Sequence, residues 1–218
     1  MPRPAEVSPR PISGLAADVA ELARVASRDR WGLALIGIGW VHLAVFLACH
    51  ALYARGDRSE SHFLPLWGLD LSLAVAIFRR SIGGRSRRPA PPMLGVVVRI
   101  WATFLILCFS TASLNQLVGF ETDWFKAVWG TLATFGFATM AWLLHPGFLI
   151  AAVQMSLTAL LIARNPDESY LIYGLSWCLA LNGVGLALER RRALALAPGE
   201  GRDRVPLSNA VGQPVEVG

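Results

Sequence analysis

The sequence predicts an all-α membrane protein, a polytopic bundle of six transmembrane helices. Three observations lead there. Six long apolar stretches fill most of the 218 residues. Apolar residues make up 54% of the chain and charged ones only 16%, below the roughly 25% charged residues usual in a soluble domain. The charge of the connectors also alternates: Arg79, Arg80, Arg85, Arg87 and Arg88 share one connector, and the connectors on either side are acidic or near neutral. A soluble core does not require that alternation, whereas a bilayer imposes it by retaining basic loops on the cytoplasmic side.

The elements follow in order. Residues 1–13 are rich in proline and charge and are expected to be disordered. From Leu15 to Arg28 the pattern turns helical, with Leu15, Val19, Leu22 and Ala26 on one face. A short amphipathic helix fits, lying on the inner headgroups or standing as a solvated lead-in. The first span, 31–54, carries His42 and His50 but no acidic or basic residue. It is too long for a signal core and reads as an uncleaved span. The second span, 63–78, is short and has Pro65 in its first turn, where a missing N–H costs little. The third, 93–117, follows the breaker Pro89-Ala90-Pro91-Pro92. The fourth, 124–144, closes at His145-Pro146-Gly147, the fifth occupies 146–163, and the sixth, 170–188, stops at Glu189-Arg190-Arg191-Arg192. Three regions result: a cytoplasmic N-terminal segment over 1–30, a transmembrane domain over 31–188, and a disordered cytoplasmic tail over 189–218.

Orientation follows from the basic residues at the span ends. Arg24, Arg28 and Arg30, the five-arginine connector, and Arg190 to Arg192 fall on one side. The other side holds Arg55, Arg58, Lys126 and Arg164 beside Asp57, Glu60, Glu121, Asp123, Asp167 and Glu168. Both termini are therefore expected in the cytoplasm, with the spans in a bacterial-type cell membrane. Tyr53, Phe63, Trp67, Phe120, Trp124, Tyr170 and Tyr173 are placed at the outer boundary, and Trp31 and Trp142 at the inner one. The net charge of +5 is read as topology plus attraction of the cytoplasmic arginine clusters to anionic lipid headgroups, not as a nucleic-acid surface. Other membrane subunits, or a second copy, are the remaining expected partners. Nineteen arginines stand against a single lysine, Lys126. Cys49, Cys108 and Cys178 lie in apolar runs and read as packing residues.

Ionisable residues inside a span call for a partner, because hydrocarbon supplies none. His42, Asp70 and Arg99 are the intramembrane polar candidates. Asp70 and Arg99 fall at similar depth on spans two and three, which a short connector would make antiparallel neighbours. An Asp70–Arg99 ion pair with His42 close by is expected, serving either as a helix clamp or as a functional site. The competing reading has Arg99 snorkel to the inner interface. At the outer surface His50, His62, Asp57 and Glu60 are the candidate metal ligands, although their spacing matches no established motif. A His50–His62 pair is also the one haem arrangement the sequence allows. Gln154 and Asn182, at matching depth, are expected to hydrogen-bond spans five and six. Close-packing stripes are read at Ala44 with Ala48, Gly130 with Thr134 and Ala138, and Gly174 with Cys178.

The chain contains no phosphate-binding loop, HExxH or CxxC motif. No cofactor is implied, and an enzyme is disfavoured. Two classes of function fit: a non-enzymatic accessory or assembly subunit whose polar residues serve packing, or a small permease or channel with an intramembrane polar site. A membrane haem or metal protein ranks third.

Overall fold

The computed structural model describes residues 12–57, 60–83, 91–117 and 124–196. Seven α-helices account for nearly all of them: α1 Ile12–Arg28, α2 Trp31–Ala54, α3 Glu60–Gly83, α4 Pro92–Leu117, α5 Trp124–Leu143, α6 Phe148–Arg164 and α7 Ser169–Leu196. A single 3₁₀ turn, Pro166–Glu168, leads into α7, and no strand occurs among the described residues. The helices α2, α3, α4 and α7 are long and apolar enough to cross a membrane. The chain is thus an all-α protein with apolar helices of membrane-spanning length. Helix α6 is apolar but has 17 residues. Helix α5 has 20 residues, and its Lys126, three threonines, two glycines and three tryptophans dilute its hydropathy.

Several boundaries differ from the sequence-based ones. Helix α3 begins at Glu60 and runs to Gly83, well beyond 63–78, so Pro65 sits in its second turn rather than its first. Helix α7 does not stop at the arginine run but continues to Leu196. Residues 189–196 are therefore helical, not part of a disordered tail. The helix-favouring sequence Glu-Arg-Arg-Arg-Ala-Leu-Ala-Leu has no glycine or proline to break it. The rest of the expected tail, 197–218, and the expected disorder of residues 1–11 lie outside the described residues.

Two ends of the bundle are defined by packing. Trp31, Met93 and Leu94 form a small core with Phe78, Leu143 and Leu144, which brings together the start of α2, the end of α3, the start of α4 and the end of α5. Arg191 of α7 reaches His145, in the α5–α6 turn, at 2.6 Å. At the opposite end Tyr53, Phe63, Lys126 and Tyr170 join the end of α2 to the starts of α3, α5 and α7. The helix ends that flank the connectors assigned to one side by the charge pattern are thus gathered at one end.

Helix α1 belongs to the first end. Its Leu22 and Ala26 are buried against Trp31, Met93 and Leu94, so this part of its apolar face docks on the bundle. Arg30 makes the turn into α2 in the left-handed region, with φ 56°, a conformation that costs a non-glycine residue on the order of 1 kcal/mol. Docking of α1 holds it there.

Helices α2 and α7 form the most extensive interface, and glycines make it possible. A Cβ on Gly32 would lie 2.5 Å from the Gly185 carbonyl oxygen, and one on Gly185 would lie 2.6 Å from that of Gly32. One on Gly174 would lie 2.6 Å from Phe46 Cβ. Such small-residue contacts let backbones approach where lipid provides no hydrophobic drive for association. Gly130 plays the same part between α5 and α6, with Ala159 Cβ at 2.9 Å from its own would-be Cβ. Of the expected stripes, Gly130 and Gly174 lie at interfaces, whereas Ala44 is exposed. Helix α3 packs on α2 and helix α4 on α5, but α3 and α4 share no comparable helix interface.

Gly185→Ala pushes a methyl into a backbone carbonyl that cannot yield. It is expected to cost about 1–3 kcal/mol, read as a lowered melting temperature of the purified chain in detergent. Gly183→Ala meets nothing within 4 Å, so the same measurement should show no loss.

Candidate functional site

The intramembrane polar residues come together differently from the sequence expectation. His42 lies mid-way along α2 and Asp70 mid-way along α3. Their side chains meet, Nδ1 to Oδ1, at 2.7 Å, and are only 15% and 8% exposed. Helix α3 starts only a few residues after α2 ends, and the two residues lie at similar distances from those ends. Phe63, Asp70, Ala74 and Ile77 recur at helical spacing and turn one face of α3 toward the core.

Arg99 is not the partner of Asp70. It is exposed, and it lies two residues before Trp101, about 160° round the helix at 100° per residue. Trp101, Phe104 and Cys108 face the core, so Arg99 faces away from it. The expected neighbour relation between α3 and α4 also fails, because α3 lies along α2.

Aromatic rings enclose the pair. The His42 ring stands edge-on to Trp177 at 5.7 Å and to Phe46 at 6.5 Å. Trp177 in turn meets Trp101 at 5.6 Å and Phe137 at 5.6 Å, drawing α4 and α5 to the same centre. The contact gives each group a hydrogen-bonding partner inside the bundle, which offsets part of the cost of burying it. In the tautomer whose Nδ1–H donates to Asp70, Nε2 is the acceptor nitrogen.

The outer-surface candidates separate. His62 Nδ1 meets Asp57 Oδ2 at 2.6 Å, while His50 Nε2 turns to Glu168 Oε2 at 3.5 Å. The side chain of Glu60 lies outside the described residues. No three His, Cys, Asp or Glu side chains converge on one point among the described residues. His50 and His62 turn to different partners. Gln154 donates to the Ser176 carbonyl at 2.8 Å, and Thr158 meets Ser176 Oγ at 2.6 Å. These bonds tie α6 to α7. Asn182 takes no part in them and donates within its own helix, to the Cys178 carbonyl. All three cysteines are free and buried.

A second polar feature, which residue spacing did not reveal, lies where α2 ends and α5 and α7 begin. Lys126 is only 2% exposed. Its Nζ lies 3.9 Å from the Tyr53 ring centroid and 4.2 Å from that of Tyr170. Tyr53, Phe63, Tyr170 and Tyr173 are correspondingly buried inside the bundle, not arrayed as an interfacial belt. Trp31 is buried too, whereas Trp142, 86% exposed, remains free to sit at an interface. The signal was present in the composition: the one lysine among nineteen arginines occupies a site fitted to a compact ammonium. Phe120 lies outside the described residues, as does the side chain of Trp124.

No family model, curated protein or solved structure matches the chain.

Two outcomes follow from this geometry. In a double-mutant cycle of His42→Ala and Asp70→Ala, melting in detergent should reveal a coupling of about 1–3 kcal/mol, while Arg99→Gln shows none with Asp70→Ala. Lys126→Arg, which forces a larger planar cation between the rings, should lower the melting temperature by the equivalent of about 1–3 kcal/mol.

Proposed function

We propose that this chain is a multi-pass integral membrane protein without catalytic activity of its own, serving as an accessory or assembly subunit of a membrane complex. In this reading all six helices α2 to α7 cross the bilayer of a bacterial-type cell, with both termini cytoplasmic. The alternating connector charge supports the orientation. The span count is supported by α5 and α6, which pack lengthwise against each other and against the longer α4 and α7. At 1.5 Å per residue they reach about 30 and 26 Å, close to the thickness of a hydrocarbon core.

The observation that carries the reading is the enclosure of the His42–Asp70 pair. Its members bind each other across α2 and α3 among aromatic rings. Two surface depressions among the described residues lie elsewhere, one beside His50, Tyr53 and Glu168, the other beside Asp57, His62 and Leu66. A clamp of this kind serves packing. The connectors are short, which leaves little room for chemistry outside the membrane.

The test is cysteine accessibility in sealed vesicles. Asp70→Cys should resist a water-soluble maleimide from either side, and rapid labelling would overturn the packing reading. A tag or cysteine at Arg85 should react only after the membrane is permeabilised; labelling from the exterior of intact cells would overturn the orientation. A permease or channel is the second reading, favoured by the ionisable nature of a mid-span pair. Labelling at position 70 would promote it.

A further inference from the structure

The bundle leaves the face of α4 that Arg99 occupies uncovered. At 100° per residue, Gly95, Ala102, Thr103, Ile106 and Ser110 fall within about 60° of Arg99, and each of them is exposed. Ile106 is 67% exposed, and a Cβ on Gly95 would meet no atom within 4 Å. Trp101, Phe104 and Cys108 join α4 to the core from the opposite side. Among the described residues no carboxylate pairs with Arg99, and neither Thr103 nor Ser110 makes a hydrogen bond. By contrast Ser72 donates to the Gly68 carbonyl, Thr134 to that of Gly130, and Thr158 meets Ser176.

In hydrocarbon these groups have no water to turn to, and a guanidinium left there without an anion is costly. They also lie at three depths. Arg99 is about 10 Å from the start of α4, Thr103 about 16 Å and Ser110 about 27 Å. A lipid phosphate drawn in from the interface reaches only the first. A helix laid along the face reaches all three. Its carboxylate pairs with Arg99, its carbonyls and hydroxyls receive Thr103 and Ser110, and Gly95 and Ala102 admit close approach. A second copy of this chain does not meet the same need. Across a two-fold axis along the membrane normal each residue faces its own level, so Arg99 would oppose Arg99. Asp70, the acidic residue midway along α3, is already engaged by His42.

We propose that this face of α4 is the docking surface for a transmembrane helix of a different protein, one that carries a carboxylate at the depth of Arg99. This rests on α4 crossing the bilayer, and it deepens the accessory-subunit reading by naming the surface the complex uses and the charge its neighbour brings. The complementary charge sets which helix docks and in which register, while the small and hydroxylated positions supply the contact.

The full chain, reconstituted in phosphatidylcholine vesicles, would be mixed with a synthetic leucine–alanine helix of about 20 residues holding one Glu at the depth of Arg99, and association read by energy transfer between dyes on the two. The Glu helix is expected to associate at least about tenfold more tightly than its Gln counterpart. Arg99→Gln should erase that preference, Arg99→Lys should keep it, and Arg99→Glu should transfer it to a helix holding Lys. Arg99 is exposed, so each variant should elute in detergent as the parent does. Equal association of the Glu and Gln helices, or a Glu preference that survives Arg99→Gln, would overturn the docking surface. Loss of the Glu preference on adding phosphatidylglycerol would overturn it in favour of a lipid phosphate at Arg99, and a disulfide-linked homodimer of Ile106→Cys in native membranes would overturn it in favour of a second copy. Release of the parent chain from membranes by alkaline carbonate would overturn the spanning reading and the docking surface together; a carbonate-resistant chain without the Glu preference overturns the docking surface alone. Rapid maleimide labelling of Asp70→Cys with the Glu preference intact would sink the packing reading and leave the docking surface standing.

Discussion

In hydrocarbon a polar group finds no water, so its partner must come from the protein or from a lipid headgroup. This constraint organises the bundle. Asp70 cannot remain a bare carboxylate at mid-depth, and α3 turns it toward His42 on α2. Lys126 cannot remain a bare ammonium where it is buried, and α2 and α7 bring Tyr53 and Tyr170 over it. Gln154 and Thr158 find their partners at Ser176 across the α6–α7 interface. Each solution joins a different set of helices, so the polar residues help specify which helices are neighbours.

Close approach makes those solutions possible. The mutual contact of Gly32 with Gly185, and of Gly174 with Phe46, presses α7 against α2. That brings Trp177 to the ring of His42 and Tyr170 to the ring of Tyr53. A wider α2–α7 spacing would open both the aromatic enclosure of the His42–Asp70 pair and the clamp on Lys126. Packing and polar pairing therefore depend on each other, and the aromatic core between α4, α5 and α7 completes the enclosure through Trp101 and Phe137.

The pair is mutually bonded and its imidazole is bordered by rings, an arrangement that suits the packing role proposed for it. It holds α3, a helix with otherwise little buried surface, to the rest of the bundle. The opposite side of α3, where Arg79 stands, is exposed.

Much of this was determined by the sequence alone. Long uncharged runs such as Trp31–Ala54 can satisfy their backbone only as helices, and the arginine runs mark which ends share a side. The sequence also named His42 and Asp70 as residues in need of partners, since isolated charges at that depth are costly. Only the tertiary structure decided the pairings. Depth along the chain matches Asp70 equally well with Arg99 and with His42; the choice rests on rotation of α4, which turns Arg99 outward, and on α3 packing against α2. Likewise a tyrosine near a span end reads as an interfacial anchor until a neighbouring helix brings a buried lysine against its ring. Helix formation is local and periodic, so residue spacing reveals it. Which faces meet depends on contacts between residues far apart in the chain, such as the 28 positions from His42 to Asp70, and those contacts exist only once the bundle has assembled.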